Sequence, residues 1–600
     1  MNNYSEDKPF RKQFHKPFRK PGFPQDRPQS KSQVVYEGTS PVTGKDMVRL
    51  IMLGGAGNVT KNMYAYEYRV DGVIRDILLV DCGIGFPDPE MYGVDLVIPD
   101  IRYLADKIDK VRGLIFTHGH DDHIGAIPFL YPKLGNIKMW GTPLTAAFAN
   151  IKLKEAKLKG RVTPVSFDTT LNLGAFSVSF IRVTHSVPDT SHLVIRTPVG
   201  TIYHGSDYKF DPTPLDGKTS EIEKINRAGR DGVLLMLTDC LGSERPGMTE
   251  SEQMIRGAIE RELDLCSGAF IFTTQSSNIS RLQLAIEIAI AKGRKIALFG
   301  RSINQNIEAS VDLGYMKIPR EYFVRDRDLK KLPKSKQFLI VAGAQAQSES
   351  ALYRIANGTH QYVQIGEGDT VMISADIIPG NENSVHLLID ELFRTGVRVV
   401  YSGVDEGLHV SGHGHQGDHV MLLSAVGPKY ILPIGGTYRH IMNYRAVAQD
   451  VGYQKNQVLI PDDGQVIELR SHMPPRFGET MNLDNVLVDG LGVGDVGAVV
   501  LHDRQTIAKE GIIVVVVPVD GSTGKLVGEA DIITRGVVYV KESGDLLKRA
   551  RKIVTQVLLR RTGKVMDWRF IREEVENEMQ RFIRKETGRQ PLIVPVVFDI

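Results

Sequence analysis

Residues 113–125 read Gly113-Leu-Ile-Phe-Thr-His-Gly-His-Asp-Asp-His-Ile-Gly125, an apolar run followed at once by three histidines and two aspartates. The apolar run predicts a buried strand that ends near Thr117. His118 and His120 are two residues apart and can face one cation, while Asp122 and His123 turn toward a neighbouring position. Neutral imidazole and carboxylate are ligands that suit zinc or manganese. A lone histidine is more often structural, but this density predicts a metal centre.

Two further polar residues, His185 and Asp207, follow later apolar runs. Each alone has an ordinary explanation, His185 as a core histidine and Asp207 as a turn former. Open α/β folds collect functional side chains at the carboxyl ends of their strands, so the shared position of these two residues favours the same metal centre. His192 and His204 lack that position and are excluded.

Other motifs extend this pattern along the chain. Seven of the 16 histidines fall in two short windows, of which the second spans residues 409–419. The remaining landmarks are Phe86-Pro-Asp88, Gly93-Val-Asp95, Ile98-Pro-Asp100, Thr184-His-Ser-Val-Pro188, Ile378-Pro-Gly-Asn-Glu382, His409-Val-Ser-Gly-His413, Gly494-Asp-Val-Gly497 and Pro591-Leu-Ile-Val-Pro595. Together they resemble the metallo-β-lactamase fold hydrolases and, within them, the β-CASP nucleases of the bacterial ribonuclease J family. The resemblance runs from about residue 48 to the end.

The resemblance implies an α/β fold, namely a metallo-β-lactamase αββα sandwich with an inserted β-CASP α/β domain and a small α+β C-terminal domain. The expected ranges are a disordered basic arm at 1–45, the first metallo-β-lactamase part at 46–225, the β-CASP domain at 226–385, the second metallo-β-lactamase part at 386–468, a linker at 469–482 and the C-terminal domain at 483–600. Two prolines and a glycine within Leu469–Thr480 favour the linker. Beyond it, Ala498–Leu501 and Ile512–Val519 are typical of strands.

Carried onto this sequence, the resemblance implies two divalent metal ions. The expected ligands are His118, His120 and His185 for one metal, Asp122 and His123 for the second, and Asp207 as a bridge. Zinc is the expected metal, with manganese or magnesium as alternatives.

Four further positions are implied to act on RNA directly. Asp239 and His413 match the family's acidic and histidine motifs, and an Asp–His pair can favour the protonated imidazole. Alone, Asp239 could also be a helix N-cap. Ser411, Gly412 and His413 would receive the 5′-phosphate of an RNA chain.

Two segments depart from the family pattern. A third β-CASP motif, Pro-x-His-Gly-Glu, is replaced by Pro433-Ile-Gly-Gly-Thr437, so the position of a second-metal ligand is Gly435. The second metal is therefore expected to be weak, completed by water or absent, and the role is not transferred to His440. The loop Ala342-Gly-Ala-Gln-Ala-Gln347 lacks the two hydroxyls usual in the family, which predicts altered phosphate binding.

Composition agrees with a cytoplasmic protein. Residues 1–33 carry eight Lys or Arg and three Asp or Glu, a net +5 where the whole chain is +3. This segment, rich in proline and phenylalanine, is either a cationic arm for RNA or a solubilising tail. Three scattered cysteines favour a reducing compartment, and no apolar run is long enough for a membrane span.

The expected function is a metal-dependent ribonuclease with endonuclease and 5′-to-3′ exonuclease action on single-stranded RNA, preferring 5′-monophosphate ends, in RNA maturation and mRNA decay. An alternative, motivated by Gly435, is a weakly catalytic or scaffold subunit of an RNA-degradation complex. A small-molecule hydrolase of the same fold is disfavoured by the β-CASP insert and the C-terminal domain. The resemblance also implies a homodimer or homotetramer, an RNA helicase or ribosome as partner, and no membrane.

Overall fold

A computed structural model describes residues 46–378, 381–403, 407–462, 464–490, 492–520, 526–537, 544–559 and 568–599. The expected basic arm at 1–45 and the Pro379-Gly380 pair of one landmark lie outside these residues. Within the described part, no helix is long and apolar enough to cross a membrane.

The elements up to residue 239 are β1 (Met47–Gly54), β2 (Met63–Val70), β3 (Val73–Val80), β4 (Leu96–Ile98), β5 (Val111–Ile115), α1 (Asp121–Ile124), α2 (Ile127–Leu134), β6 (Met139–Gly141), α3 (Pro143–Glu155), β7 (Val162–Pro164), β8 (Thr170–Leu173), β9 (Phe176–Arg182), β10 (Ser191–Thr197), β11 (Gly200–His204), α4 (Ile222–Asp231) and β12 (Leu235–Asp239). Those of the following segment are α5 (Ile255–Leu265), β13 (Phe270–Thr273), α6 (Ile279–Ala291), β14 (Lys295–Phe299), α7 (Arg301–Asp312), β15 (Gln337–Val341), α8 (Ala351–Ala356), β16 (Thr370–Ile373), α9 (Glu382–Arg394) and β17 (Arg398–Tyr401).

The remaining elements are α10 (Gln416–Val426), β18 (Tyr430–Ile434), α11 (Tyr438–Asp450), β19 (Gln465–Leu469), β20 (Arg476–Thr480), β21 (Val486–Asp489), β22 (Gly492–Val493), α12 (Ala498–Glu510), β23 (Ile512–Val519), β24 (Asp531–Arg535), α13 (Gly544–Leu559), α14 (Trp568–Thr587) and β25 (Leu592–Asp599).

Two sheets form a sandwich, in the orders β20-β19-β1-β2-β3-β5-β6-β7 and β18-β12-β11-β10-β9-β8. Strand β1 illustrates this packing, because its successive side chains point to opposite faces of the first sheet. Leu50 packs in the core shared with the second sheet, whereas Ile51 packs with helices α2 and α3 on the outer face. Helices α4, α10 and α11 cover the outer face of the second sheet. The result is the expected αββα arrangement.

A separate five-stranded sheet, all parallel, has the order β14-β15-β13-β16-β17. It is inserted between β12 and β18, which pair with each other in parallel. The chain therefore leaves the second sandwich sheet at Asp239, builds the insert, and returns to the neighbouring strand.

Strand pairing differs from the expected domain limits at both ends of the insert. The expected β-CASP range of 226–385 included β12, which belongs to the sandwich, and excluded β17, which belongs to the insert sheet. The expected linker at 469–482 was wrong, because it contains β20, an edge strand paired antiparallel with β19. Pro474 and Pro475 fall in the turn between these two strands, where a missing N–H disrupts no pairing.

The C-terminal part contains a small sheet, β24-β23-β25, packed against α13 and α14. The strand predicted at Ile512–Val519 is present with those bounds. The strand predicted at Ala498–Leu501 was wrong, since these residues are the first turn of α12. The apolar run continues into residues that favour helix, and the longer segment prevails over the local β-branched preference.

Candidate metal centre and catalytic pocket

The predicted site residues lie at one edge of the sandwich. Asp239 is the last residue of β12, and Asp207 follows the neighbouring β11 closely. Because β11, β12 and β18 are parallel neighbours, their carboxyl ends meet at the same edge. His118 follows β5 of the other sheet, and His185 follows β9. The edge therefore collects side chains from both sheets.

A short connection places the histidine motif at this edge. Two backbone hydrogen bonds anchor helix α1. Cys82 N–H, in the turn after β3, donates to the carbonyl of His123 at 2.7 Å, and Asn62 N–H, just before β2, donates to that of Asp122 at 3.0 Å. Gly83 makes this approach possible, because a Cβ there would lie 1.6 Å from the carbonyl oxygen of Asp122. The helix thus presents Asp122 and His123 toward Asp207.

One group of four residues, His118, His120, His185 and Asp207, has ligand atoms that all lie within 4.8 Å of one another. His120 Nδ1 is 3.1 Å from both His118 Nε2 and His185 Nε2. Burial lowers the pKa of each of these histidines, that of His120 to about 4. Neutral imidazoles converging with a carboxylate fit a divalent cation.

A second group contains Asp122, His123 and Asp207. His123 Nε2 is 3.6 Å from Asp122 Oδ2 and 3.5 Å from Asp207 Oδ2. Burial alone would lower the pKa of His123, but the surrounding carboxylates raise it well above its ordinary value. This excess of negative charge in a buried space is what a second cation would balance. Asp207 belongs to both groups.

Asp239 and His413 form a pair beside these groups. His413 Nδ1 is 2.8 Å from Asp239 Oδ2, and the His413 ring lies 5.1 Å from that of His185. Burial would lower the pKa of His413, but Asp239 and Asp207 raise it to about 9. The buried carboxylate of Asp239 therefore orients the His413 ring and favours its protonated form.

Comparison with known proteins agrees with this geometry. Four family models match, described as "Metallo-beta-lactamase superfamily" (62–230), "Ribonuclease J, beta-CASP domain" (267–392), "Zn-dependent metallo-hydrolase RNA specificity domain" (396–461) and "Ribonuclease J C-terminal domain" (499–600). The chain is 38% identical to ribonuclease J 1 of Streptococcus pyogenes over 553 residues, which is 92% of this chain and 97% of that protein.

The chain belongs to the ribonuclease J family. It is also 36% identical to ribonuclease J2 of Bacillus subtilis, over 92% of this chain and 99% of that protein. Against ribonuclease J of Thermus thermophilus the identity is 35%, over 92% of this chain and 96% of the relative. Membership makes the chain a ribonuclease of the metallo-β-lactamase fold with β-CASP and C-terminal domains, and its donor set fits divalent metal ions.

Gly435 occupies the position at which a ligand of the second metal was expected to be missing. It follows β18 in the left-handed region, with φ +65°, and a Cβ there would lie 3.7 Å from Asp239 Oδ1 and 3.8 Å from Asp207 Oδ1. A side chain at this position would face the carboxylates of Asp207 and Asp239. His440 does not replace it, because its Nδ1 accepts a hydrogen bond from Thr437 N–H at 3.2 Å, at the start of α11.

Asp81 was missed by the sequence reasoning, although it also directly follows a strand, β3. It has a positive φ of 60° and is fully buried. Its carboxylate accepts hydrogen bonds from Thr117 N–H, from Thr117 Oγ1 and from His123 Nδ1, each at 2.8 Å. Asp81 therefore fixes the His123 ring with Nε2 toward Asp122 and Asp207.

Arg281 was also missed. It is 1% exposed and donates to both carboxylate oxygens of Glu252, at 2.9 and 3.0 Å. It also donates to Val410 O at 2.9 Å and to His409 Nδ1 at 2.7 Å. Arg281 thus fixes the segment that leads to His413. We call this group, Arg281 with Glu252, His409 and Val410, the arginine clamp.

The clamped segment in turn contacts the histidines. His185 Nδ1 donates to Gly412 O at 2.6 Å, which leaves Nε2 for the ligand group. A Cβ at Gly412 would lie 2.8 Å from His185 Cε1, so glycine is needed there. Ser411 Oγ accepts from His413 N–H at 3.0 Å. The predicted phosphate-binding residues therefore border the first ligand group.

Proposed function

We propose that this ribonuclease J family member cleaves single-stranded RNA at a dinuclear centre, both internally and from the 5′ end, in RNA maturation and mRNA decay. The observation that carries the proposal is the sharing of Asp207 between two ligand groups that adjoin the Asp239–His413 pair. We further propose that it acts in the cytoplasm as a homodimer or homotetramer, with an RNA helicase or ribosome as partner.

In this proposal, His118, His120 and His185 hold one divalent metal, Asp122 and His123 hold the second, and Asp207 bridges. Zinc best suits the histidine-rich group, while manganese or magnesium suits the more acidic one. Two such ions, when bound, supply a nucleophile at neutral pH and neutralise charge on the phosphodiester.

The Asp239–His413 pair would act on the phosphate and on the leaving oxygen. Because Asp239 keeps His413 protonated, the imidazolium can donate a hydrogen bond to a non-bridging phosphate oxygen or a proton to the leaving oxygen. Asp81 positions His123, and the arginine clamp positions the segment that leads to His413. Ser411, Gly412 and His413 would bind the 5′-phosphate of the incoming chain, since they border the ligand group and include a cation.

The experiment is cleavage of a 5′-monophosphorylated single-stranded RNA by the purified chain, with zinc, manganese or magnesium added after chelator treatment. Mononucleotide release from the 5′ end together with internal cuts is expected, and Asp122→Ala should reduce both. Absence of cleavage with every metal would contradict the proposal. Cleavage that Asp122→Ala leaves unchanged would point to a contaminating nuclease.

A second candidate function is a weakly catalytic or scaffold subunit, and Gly435 is the observation that favours it. Metal content per chain separates the two candidates. About two ions per chain with efficient turnover supports the ribonuclease. One ion or none, with RNA bound but barely cut, supports the scaffold.

A further inference from the structure

A groove on the insert lies at the outer edge of the five-stranded sheet. Two adjoining cavities of about 390 and 380 Å³ share Leu298, Asn304, Asp326 and Tyr362. They open where β14 ends and α7 begins, between the 323–327 segment and the 359–362 loop. This is the carboxyl end of the edge strand of the parallel sheet. We call it the edge groove.

Its charge is strongly positive. Four arginines line it, Arg301, Arg325, Arg327 and Arg354, against one carboxylate, Asp326. Within the part of the chain that the structure describes, Arg301, Arg325 and Arg354 form no ion pair, and Arg327 approaches Asp328 only at 4.0 Å. Unpaired guanidinium groups around one concave surface match a polyanion, because each can donate two parallel hydrogen bonds to a phosphate.

Aromatic rings lie among these cations. Tyr362 borders both cavities and is half-buried, as is His360 in the second cavity. The His360 ring is braced edge-on by Phe299 at 5.0 Å, and its Nδ1 accepts from Val363 N–H at 3.2 Å. Its neutral form therefore carries the proton on Nε2, which is free to donate. Cations that track a backbone, together with rings that stack on bases, characterise single-strand binding surfaces.

We infer that the edge groove is an accessory binding site for single-stranded RNA, outside the metal centre, with the arginines on phosphates and Tyr362 stacked on a base. This inference rests on the proposed function only for the identity of the polyanion. Longer RNAs would gain affinity from it, and oligonucleotides too short to reach it would not.

The test uses the full-length chain in chelator, where cleavage cannot interfere, and fluorescent oligouridylates of about 20 and about 4 nucleotides. Arg354→Gln and Arg325→Gln should each lower the slope of log affinity against log salt by about 0.7 for the longer RNA. Tyr362→Leu should weaken its binding at least about fivefold. Arg227→Gln, which removes an exposed arginine from α4, is the matched control and should change neither quantity.

Cleavage assays with added metal provide a separate measurement. The groove variants should raise KM for the longer RNA several-fold with kcat unchanged, and leave kcat/KM for the shorter one unaltered. Unfolding midpoints like that of the unmodified chain exclude misfolding. The inference is wrong if all groove variants bind the longer RNA as the unmodified chain does, or if Arg227→Gln has the same effect. A chain that cuts no RNA would defeat the proposed function, while the binding measurements would still decide on the groove.

Discussion

A Cβ built on the backbone of Gly435 would lie at ordinary contact distances from Asp239 Oδ1, 3.7 Å, and from Asp207 Oδ1, 3.8 Å. A histidine there could join Asp122 and His123 around the second cation. We predict that Gly435→His raises the metal content toward two ions per chain, at a cost in stability of about 1 kcal/mol for the positive φ. Elemental analysis after dialysis against limiting metal measures the first effect.

Gly435→Ala is the control, because it carries the same backbone strain without a ligand atom. It should lower the unfolding midpoint to a similar extent and leave the metal content unchanged. An equal gain of metal in both variants would show that position 435 does not supply a ligand.

Asp81 offers a second test at the scale of one residue. Asp81→Asn keeps the size of the side chain but loses the charge that holds His123. Loss of such a partner typically lowers metal affinity 10–100-fold, so we expect a shift of about that size in a competition titration with a chelator. Asp121→Asn, on the exposed side of α1, is the matched control and should bind metal normally.

Most candidate site residues could be predicted from sequence because each follows an apolar strand and the signal is local. The structure brings His118, His120, Asp122, His123, His185, Asp207, Asp239 and His413 into one buried cluster. Asp81 also directly follows an apolar strand, but no histidine lies near it in the sequence, so it was not recognised as a site residue. Arg281 carried none, because its partners come from segments about 30 and 130 residues away and meet only in the folded chain.

At the scale of elements, the arginine clamp joins α6 to the segment before α10. Arg281→Met would remove the bidentate partner of the buried Glu252 carboxylate and leave Lys209 at 3.5 Å. Stranding a buried charge costs about 3–5 kcal/mol, so we expect a clearly lower midpoint of thermal unfolding. The double variant Glu252→Gln/Arg281→Met should recover part of this loss. No recovery would mean that the hydrogen bonds to His409 and Val410 carry the effect.

The arginine clamp also makes the stability of the fold depend on pH. Burial would raise the pKa of Glu252, but Arg281 and Lys209 lower it below its ordinary 4.5. A carboxylate with a lower pKa in the folded state stabilises the fold above pH 4.5 and loses that contribution as the pH falls through the folded value. The unfolding midpoint should therefore fall less steeply below pH 4.5 in the double variant than in the unmodified chain. Equal acid sensitivity would contradict this.

An element that forms only through pairing with another strand was assigned wrongly from the sequence. The 476–480 segment has little apolar character, and only its pairing with β19 makes it a strand. Strand β1, by contrast, is a nearly continuous apolar run, so its sequence predicts a buried strand, and only the structure assigns its side chains to the two faces.

At the scale of the whole molecule, the charge asymmetry of the sequence gives a further prediction. Removing residues 1–33, which carry a net +5, should weaken RNA binding and reduce its salt dependence without abolishing cleavage. Binding titrations of the truncated and full-length chains at several salt concentrations measure this. An unchanged salt slope would favour the solubilising tail.

The parallel pairing of β12 with β18 also determines when the enzyme becomes active during its own synthesis. Asp207 and Asp239 emerge early, but the neighbouring strand that completes their sheet ends only at Ile434, after the entire insert. His413 and two members of the arginine clamp, His409 and Val410, arrive in the same late portion. A nascent chain therefore carries metal-binding side chains for much of translation without an assembled centre. The site can therefore assemble only after the chain has passed the whole insert and completed β18.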